Sequence, residues 1–357
     1  MQGQDIIKRI GLDWPIFQAP MAGVSTPEMA AAVSEAGGLG ALGIGAATVD
    51  TAREMIQKTR ELTQKPFNIN VFCHRPAQAD PALEAGWLAQ MAPLFARFDA
   101  SPPKSLNEIY ASFCSDSAAQ QMLLAEAPAV VSFHFGLPDA EIIQGFKSKG
   151  VFLMATATSL NEALAIQAAG IDAVVAQGWE AGGHRGLFDP DAPDAGLKTP
   201  DLTAELVADL SIPVVAAGGM MTGGDIAAAL RLGASAAQLG TAFVGCDESQ
   251  ADGGYRQALA AATAGQTQMT AAISGRAARC LKNGFTAWAE TQTTTSIPDY
   301  PIAYDAGKAL NAAAKLAGET GFGAQWAGTG AAQSRAMASG DLMALLVQEM
   351  QAALREA

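Results

Sequence analysis

The segment Ala173-Val174-Val175-Ala176-Gln177-Gly178-Trp179-Glu180-Ala181-Gly182-Gly183-His184-Arg185-Gly186 begins as an apolar run and ends in glycines around an imidazole. Its first half has the composition of a parallel strand buried on both faces, and its second half that of the loop into which such a strand opens. Glycines let a flat ligand approach the backbone closely, and an imidazole beside them can donate, accept or carry a proton near neutral pH. Read alone, the same residues are also compatible with a flexible turn and a solvated histidine.

The pattern of a short apolar or glycine-terminated run, a loop and an Ala-rich helical segment recurs along the chain. Strands are expected at 16–21, 38–45, 67–72, 129–136, 151–157, 173–178, 213–219 and 236–244, with helices at 26–36, 48–62, 159–169 and 225–232. Eight such strands close an α/β TIM (β/α)8 barrel; an open doubly wound sheet alternates in the same way and is the competing architecture. The barrel is expected over 1–245, with a helical insertion after strand 3 at about 73–128 that has helices near 81–97 and 106–126. A C-terminal cap of helices and loops, 246–357, is expected over the barrel mouth.

Half of the 357 residues are hydrophobic and 16% are charged, a composition that buries a large core. The net charge of −13, without a cluster of Lys and Arg, excludes a nucleic-acid surface. Met1 to Arg9 lacks the apolar core of a signal peptide and no apolar run is long enough to span a bilayer, so the expected location is the cytoplasm, without a membrane partner. The four cysteines, Cys73, Cys114, Cys246 and Cys280, are too scattered to signal a metal site or a disulfide framework.

In a barrel the C-terminal strand ends meet on one rim, which here offers Gln18, Met21, Asn70, His134, Gln177, His184, Gly218, Gly219, Gly240 and Thr241. The turns after the last two strands are where barrels hold a phosphate on backbone N–H groups, with Gly219, Gly240 and Thr241 as donors. The carboxamides of Asn70 and Gln177 suit a heterocycle with donors and acceptors at its edge, such as an isoalloxazine. A GxGxxG turn is missing from the first βα unit, which favours FMN over FAD or tightly bound NAD.

Residues 16–43, Asn68-Ile69-Asn70-Val71-Phe72, QGWEAGGHRG at 177–186, AAGGM at 216–220, QLGTAF at 238–243 and the tail motif 299–308 together resemble the class I nitronate monooxygenases, formerly called 2-nitropropane dioxygenases. The resemblance implies an FMN-dependent barrel that oxidises nitronates, above all propionate 3-nitronate, with O2. By motif it implies FMN contacts from Asn70, Gln177, Gly182, Gly219, Gln238, Leu239, Gly240 and Thr241, and His184 at the reaction centre. Residues 220–225, MMTGGD, depart from the more polar turn expected there, which leaves phosphate recognition to backbone donors.

Tyr300, Tyr304 and Lys308 are spaced four apart and share a face if the segment after Pro301 is helical. With the resemblance they become a substrate cap for a small anion, completed by His134 and Tyr110; without it they read as an amphipathic helix with a solvated lysine. No metal ligand set is expected, and the assembly is a monomer or homodimer. The alternatives are an NAD(P)H-dependent flavin oxidoreductase of the same superfamily, acting on quinones or enoyl groups, and a flavin-binding barrel without turnover.

Overall fold

The computed structural model describes residues 3–292 and 296–356. Its main sheet consists of β1 (Ile16–Gln18), β2 (Gly40–Gly43), β3 (Phe67–Phe72), β4 (Val130–His134), β5 (Phe152–Ala157) and β6 (Ala173–Gln177). A two-residue strand outside that sheet, β7 (Gly183–His184), precedes the last two barrel strands, β8 (Val214–Ala217) and β9 (Ala236–Leu239). All eight barrel strands are parallel, in the order β1-β9-β8-β6-β5-β4-β3-β2. The ring closes where Leu39 N donates to Ile16 O at 3.0 Å and Gln18 N to Leu39 O at 2.9 Å. This is the TIM barrel, not the open sheet.

Alternation along the strands sets what each layer holds. Val131, Phe133, Leu153, Ala155, Val174 and Val214 point out against the helices, whereas Phe17, Val130, Phe152, Met154, Val175 and Val215 fill the interior. The N-terminal helix Gly3–Ile10 inserts Ile6 into that interior cluster. Towards the C-terminal strand ends the same inward series turns polar, through Asn68, Asn70, Ser132, Thr156 and Gln177. A barrel with an apolar floor and a polar upper layer is therefore built into the sequence register.

Three expectations differ from the structure. In the insertion, helix Pro81–Ala96 forms, but 106–116 has no helix and the second begins only at Ser117, where Asp116 caps it by accepting from Ala119 N. The tail is not only helices and loops. It contributes β10 (Thr267–Thr270) and β11 (Ala278–Leu281), which form an antiparallel sheet with β7. The last helix, Ser339–Arg355, does not lie over the mouth. It packs on helices Gly223–Arg231 and Pro27–Glu35, at the seam between β9 and β1, and buries Leu342, Met343, Leu346 and Met350 there. Glycine at 223 permits this approach, since a Cβ would lie 2.2 Å from Met350 N. Among the described residues, no helix is long and apolar enough to cross a membrane.

Candidate active site

A cavity of about 730 Å³ opens at the C-terminal ends of the strands, between the barrel and the tail. That volume is within the range of small-molecule and cofactor sites. Of the rim and cap residues expected from sequence, Met21, Asn70, Tyr110, His134, Gln177, Gly182, His184, Gly218, Gly219, Gln238, Gly240, Thr241, Tyr300, Tyr304 and Lys308 all line it. Gln18 and Leu239 do not. The Gln18 amide is engaged in the rim itself, donating to Ser25 Oγ (2.8 Å) and Ala41 O (3.0 Å) and accepting from Ala41 N (2.9 Å), and Leu239 is buried in the core.

Asn70 is held by donation to Ser132 Oγ (2.9 Å) and O (3.1 Å), leaving its Oδ1 without a partner among the described residues. Gln177 serves the loop that follows it: Nε2 donates to His184 O at 2.9 Å, Oε1 accepts from Gly186 N at 2.8 Å, and its carbonyl accepts from Arg185. Arg185 is fully buried and paired with Asp194 at 2.7 Å. The same loop is fixed from the tail, where Ala278 and Arg279 of β11 pair with His184 and Gly183. A Cβ on Gly182 would lie 2.5 Å from Gly328 N, so glycine there lets the tail close on the loop.

His184 Nε2 lies 2.9 Å from Ser274 Oγ, and the Ser274 hydroxyl donates to Arg276 O at 3.2 Å. With the Ser274 hydroxyl directed at Arg276 O, Nε2 is assigned the imidazole proton and Nδ1 the lone pair. His134 Nδ1 meets Thr156 Oγ1 at 3.0 Å and its Nε2 meets His184 O at 3.3 Å.

The chain has three histidines, and all surround the ring of Phe135: His134 at 4.3 Å, His184 at 5.7 Å and His74 at 6.3 Å between centroids. Burial, and then the nearby Arg276 guanidinium, lower His74 to about 4 and His134 to about 3. His184 is lowered to about 3 by burial, then by His134 and Arg276. His134 and His184 keep a face to the open cavity, and at neutral pH all three imidazoles are uncharged.

The opposite wall is aromatic and cationic. Tyr300 and Trp326 pack on His184 at 5.2 and 4.9 Å. Burial pushes Tyr304 up to about 12 and raises Tyr110 and Tyr300, so the three phenols stay protonated donors. The Lys308 ammonium sits 4.6 Å above the Tyr110 ring and 5.4 Å above that of Tyr304, without an ion pair among the described residues. Burial lowers its pKa and Asp305 opposes that shift. Among the described residues, the one acidic residue in the cavity wall, Asp252, is paired with Lys315 at 2.6 Å. Within a protein of net charge −13, the cavity wall thus carries a positive group, Lys308, that has no ion pair among the described residues.

At the far corner the backbone N–H groups of Gly219, Gly240 and Thr241 have no acceptor among the described residues, while the Thr241 hydroxyl accepts from Gly328 N at 2.9 Å. The departure at 220–225 is explained locally: Asp225 forms a capping box with Thr222 and also accepts from Met221 N, so its carboxylate serves the helix.

Sequence reasoning missed His74, Phe135, Ser274 and Arg276. The small number of histidines was the available signal for His74; the others depend on how the tail folds back.

Residues 4–349 match the family described as nitronate monooxygenase. The chain is 56% identical to a nitronate monooxygenase of Paraburkholderia phytofirmans over 98% of this chain and 96% of that one. It is 51% identical to a nitronate monooxygenase of Pseudomonas aeruginosa, over 96% and 97%. Among solved structures, a nitroalkane oxidase from Streptomyces ansochromogenes superposes with a TM-score of 0.88 at 39% identity, over 98% and 99% of the two chains. FabK from Thermotoga maritima superposes with a TM-score of 0.75 at 27% identity, over 98% and 97%.

Proposed function

The chain belongs to the nitronate monooxygenase family, and from that premise we propose that it uses FMN and O2 to oxidise an alkyl nitronate bearing a carboxylate, with propionate 3-nitronate as the best fit. The observation that carries the reading is the unpaired Lys308 ammonium facing protonated tyrosines and neutral histidines, in a cavity whose one acid is already paired. A carboxylate on Lys308 would leave the nitronate end of the molecule towards His184, with Tyr110, Tyr300 and Tyr304 as hydroxyl donors along the way.

The residues present fit FMN. Gly219, Gly240 and Thr241 offer unpaired N–H groups for one phosphate, and Asn70 Oδ1 offers an acceptor to a heterocycle edge. Bound there, the flavin would supply the acceptance of electrons from the nitronate and their passage to O2, with a carbonyl product and nitrite or nitrate leaving. The chain's own contribution is orientation and proton placement. His184 Nδ1, made a lone-pair acceptor by Ser274, can take the α-proton of a neutral nitroalkane. In that step the nitronate that forms beside the imidazolium would offset the basicity lost to burial, whereas with a preformed nitronate the same imidazole has no proton to remove. Action in the cytoplasm, as a monomer or homodimer, completes the reading. Denaturing the purified protein and separating any released cofactor tests it: FMN is expected, whereas FAD, or no flavin after reconstitution, contradicts it.

A further inference from the structure

Arg276 is 4% exposed, and its guanidinium carbon lies 4.1 Å above the centre of the Phe135 ring. It donates to the Leu187 carbonyl, its Nε has no partner, and no carboxylate of the described residues forms an ion pair with it. A buried cation without a counter-ion is costly and persists where the surroundings hold it in place. What it sits on is also unusual. Phe135 has φ 74°, in the left-handed region that bulky residues rarely adopt, and it directly follows His134. Its ring touches all three histidines and also Tyr300, at 5.5 Å. His74, on the same ring, is 1% exposed with neither ring nitrogen bonded.

The geometry points to Arg276 as a positioning residue for the site: seated on Phe135, it clamps the His134-Phe135 turn and supplies a positive charge, with no ion pair among the described residues, that adds to burial in holding the imidazoles neutral while drawing in the anionic substrate. The groups facing it are Tyr300 from the tail, Arg75 after β3, Glu162 on helix Leu160–Ala168, Asp189 in the loop after His184, and the histidines themselves. Neither acid neutralises it. Glu162 accepts from Thr158 and Phe188, and Asp189 lies 3.8 Å from Arg75. Burial lowers Arg276 to about 10, which leaves it charged at neutral pH. The inference concerns binding and protonation, so Arg276 acts through Phe135 and the field, without touching the reacting atoms.

The proposal rests on the nitronate reading only for its kinetic arm. The test is a pH titration of the imidazole C–H resonances in the flavin-loaded wild type, Arg276→Met and Arg276→Lys, with nitronate kinetics on the same preparations. In wild type all three imidazoles should stay neutral down to about pH 5, whereas Arg276→Met should raise the titration midpoint of at least one of them by a resolvable amount, with burial still holding it below the free value. Its KM for propionate 3-nitronate should rise roughly tenfold, with a smaller change in kcat. Arg276→Lys, which keeps the charge, should restore both. An unchanged titration in Arg276→Met, a moved titration with unchanged KM, or a lysine variant no better than methionine would each overturn the proposal. Where Arg276→Met does not fold, Arg276→Gln keeps a donor for the Leu187 carbonyl and is expected to behave the same way; if neither folds while lysine does, the charge serves the fold alone and the proposal fails. The titration needs no substrate, so absence of nitronate turnover in wild type would defeat the functional reading and leave the imidazole result to stand by itself.

Discussion

The contact between His184 Nε2 and Ser274 Oγ, at 2.9 Å, decides which side of the imidazole is left to the cavity. With the Ser274 hydroxyl donating a hydrogen bond to the Arg276 carbonyl, Nε2 is the donor to Ser274 and Nδ1 the acceptor, so proton removal becomes a role that the site can fill. His184→Asn should keep its flavin yet lose roughly 10²- to 10⁴-fold in turnover of a neutral nitroalkane, the usual contribution of a general base. The loss on a preformed nitronate should be distinctly smaller. Steady-state rates on both forms of one compound measure this, and equal losses would show that His184 is no proton acceptor.

On the proposed function, Lys308 is expected to govern substrate choice. Lys308→Met keeps a long apolar side chain and removes the ammonium that lies over the Tyr110 and Tyr304 rings. The ammonium is open to the cavity, so the lower part of the range for charged hydrogen bonds applies, about 1.5 kcal/mol, or roughly a tenfold rise in KM for propionate 3-nitronate. A simple alkyl nitronate should change much less, and FMN content should not change. Equal weakening of both substrates, or loss of FMN, would assign Lys308 to the fold or the cofactor.

The three buried imidazoles also set a pH dependence of stability. In the unfolded chain they titrate near 6.5, whereas in the fold they lie at about 3 to 4. A folded value below the unfolded one means that the stability is fully present above about pH 6.5 and is lost as pH falls towards 4. Each contributes up to about 1.4 kcal/mol per pH unit in that window, so denaturant unfolding should show a drop on the order of 2–4 kcal/mol from pH 7 to pH 5.5. The decline should soften in His74→Gln. A flat profile over this interval would mean that the histidines are hydrated or protonated in the native state.

The barrel was legible because its strands are short apolar runs punctuated by glycine, and the inward series from Asn70 to Gln177 places polar groups on the rim by period two alone. The shared face of Tyr304 and Lys308 followed from helical spacing, and helix Ile302–Leu316 forms as that spacing requires. What escaped was non-local. Strands Thr267–Thr270 and Ala278–Leu281 are too short and mixed to show a period, and they exist through pairing with each other and with Gly183 and His184. The last helix has an amphipathic pattern but nothing that names its partner at the β9 and β1 seam. Ser274 and Arg276 reach the histidines only through that folded tail, and Gln18, polar and at a strand end, found its partners in the rim instead of a ligand.

Oxygen uptake by the purified flavin-loaded protein, with propionate 3-nitronate as the sole added reductant, tests the central claim most directly. Immediate uptake is expected, with release of nitrite or nitrate and no requirement for NADH or NADPH. Uptake or flavin bleaching that occurs only when a reduced nicotinamide is supplied, with the nitronate untouched, would contradict it and place the chain among reductases that share its barrel.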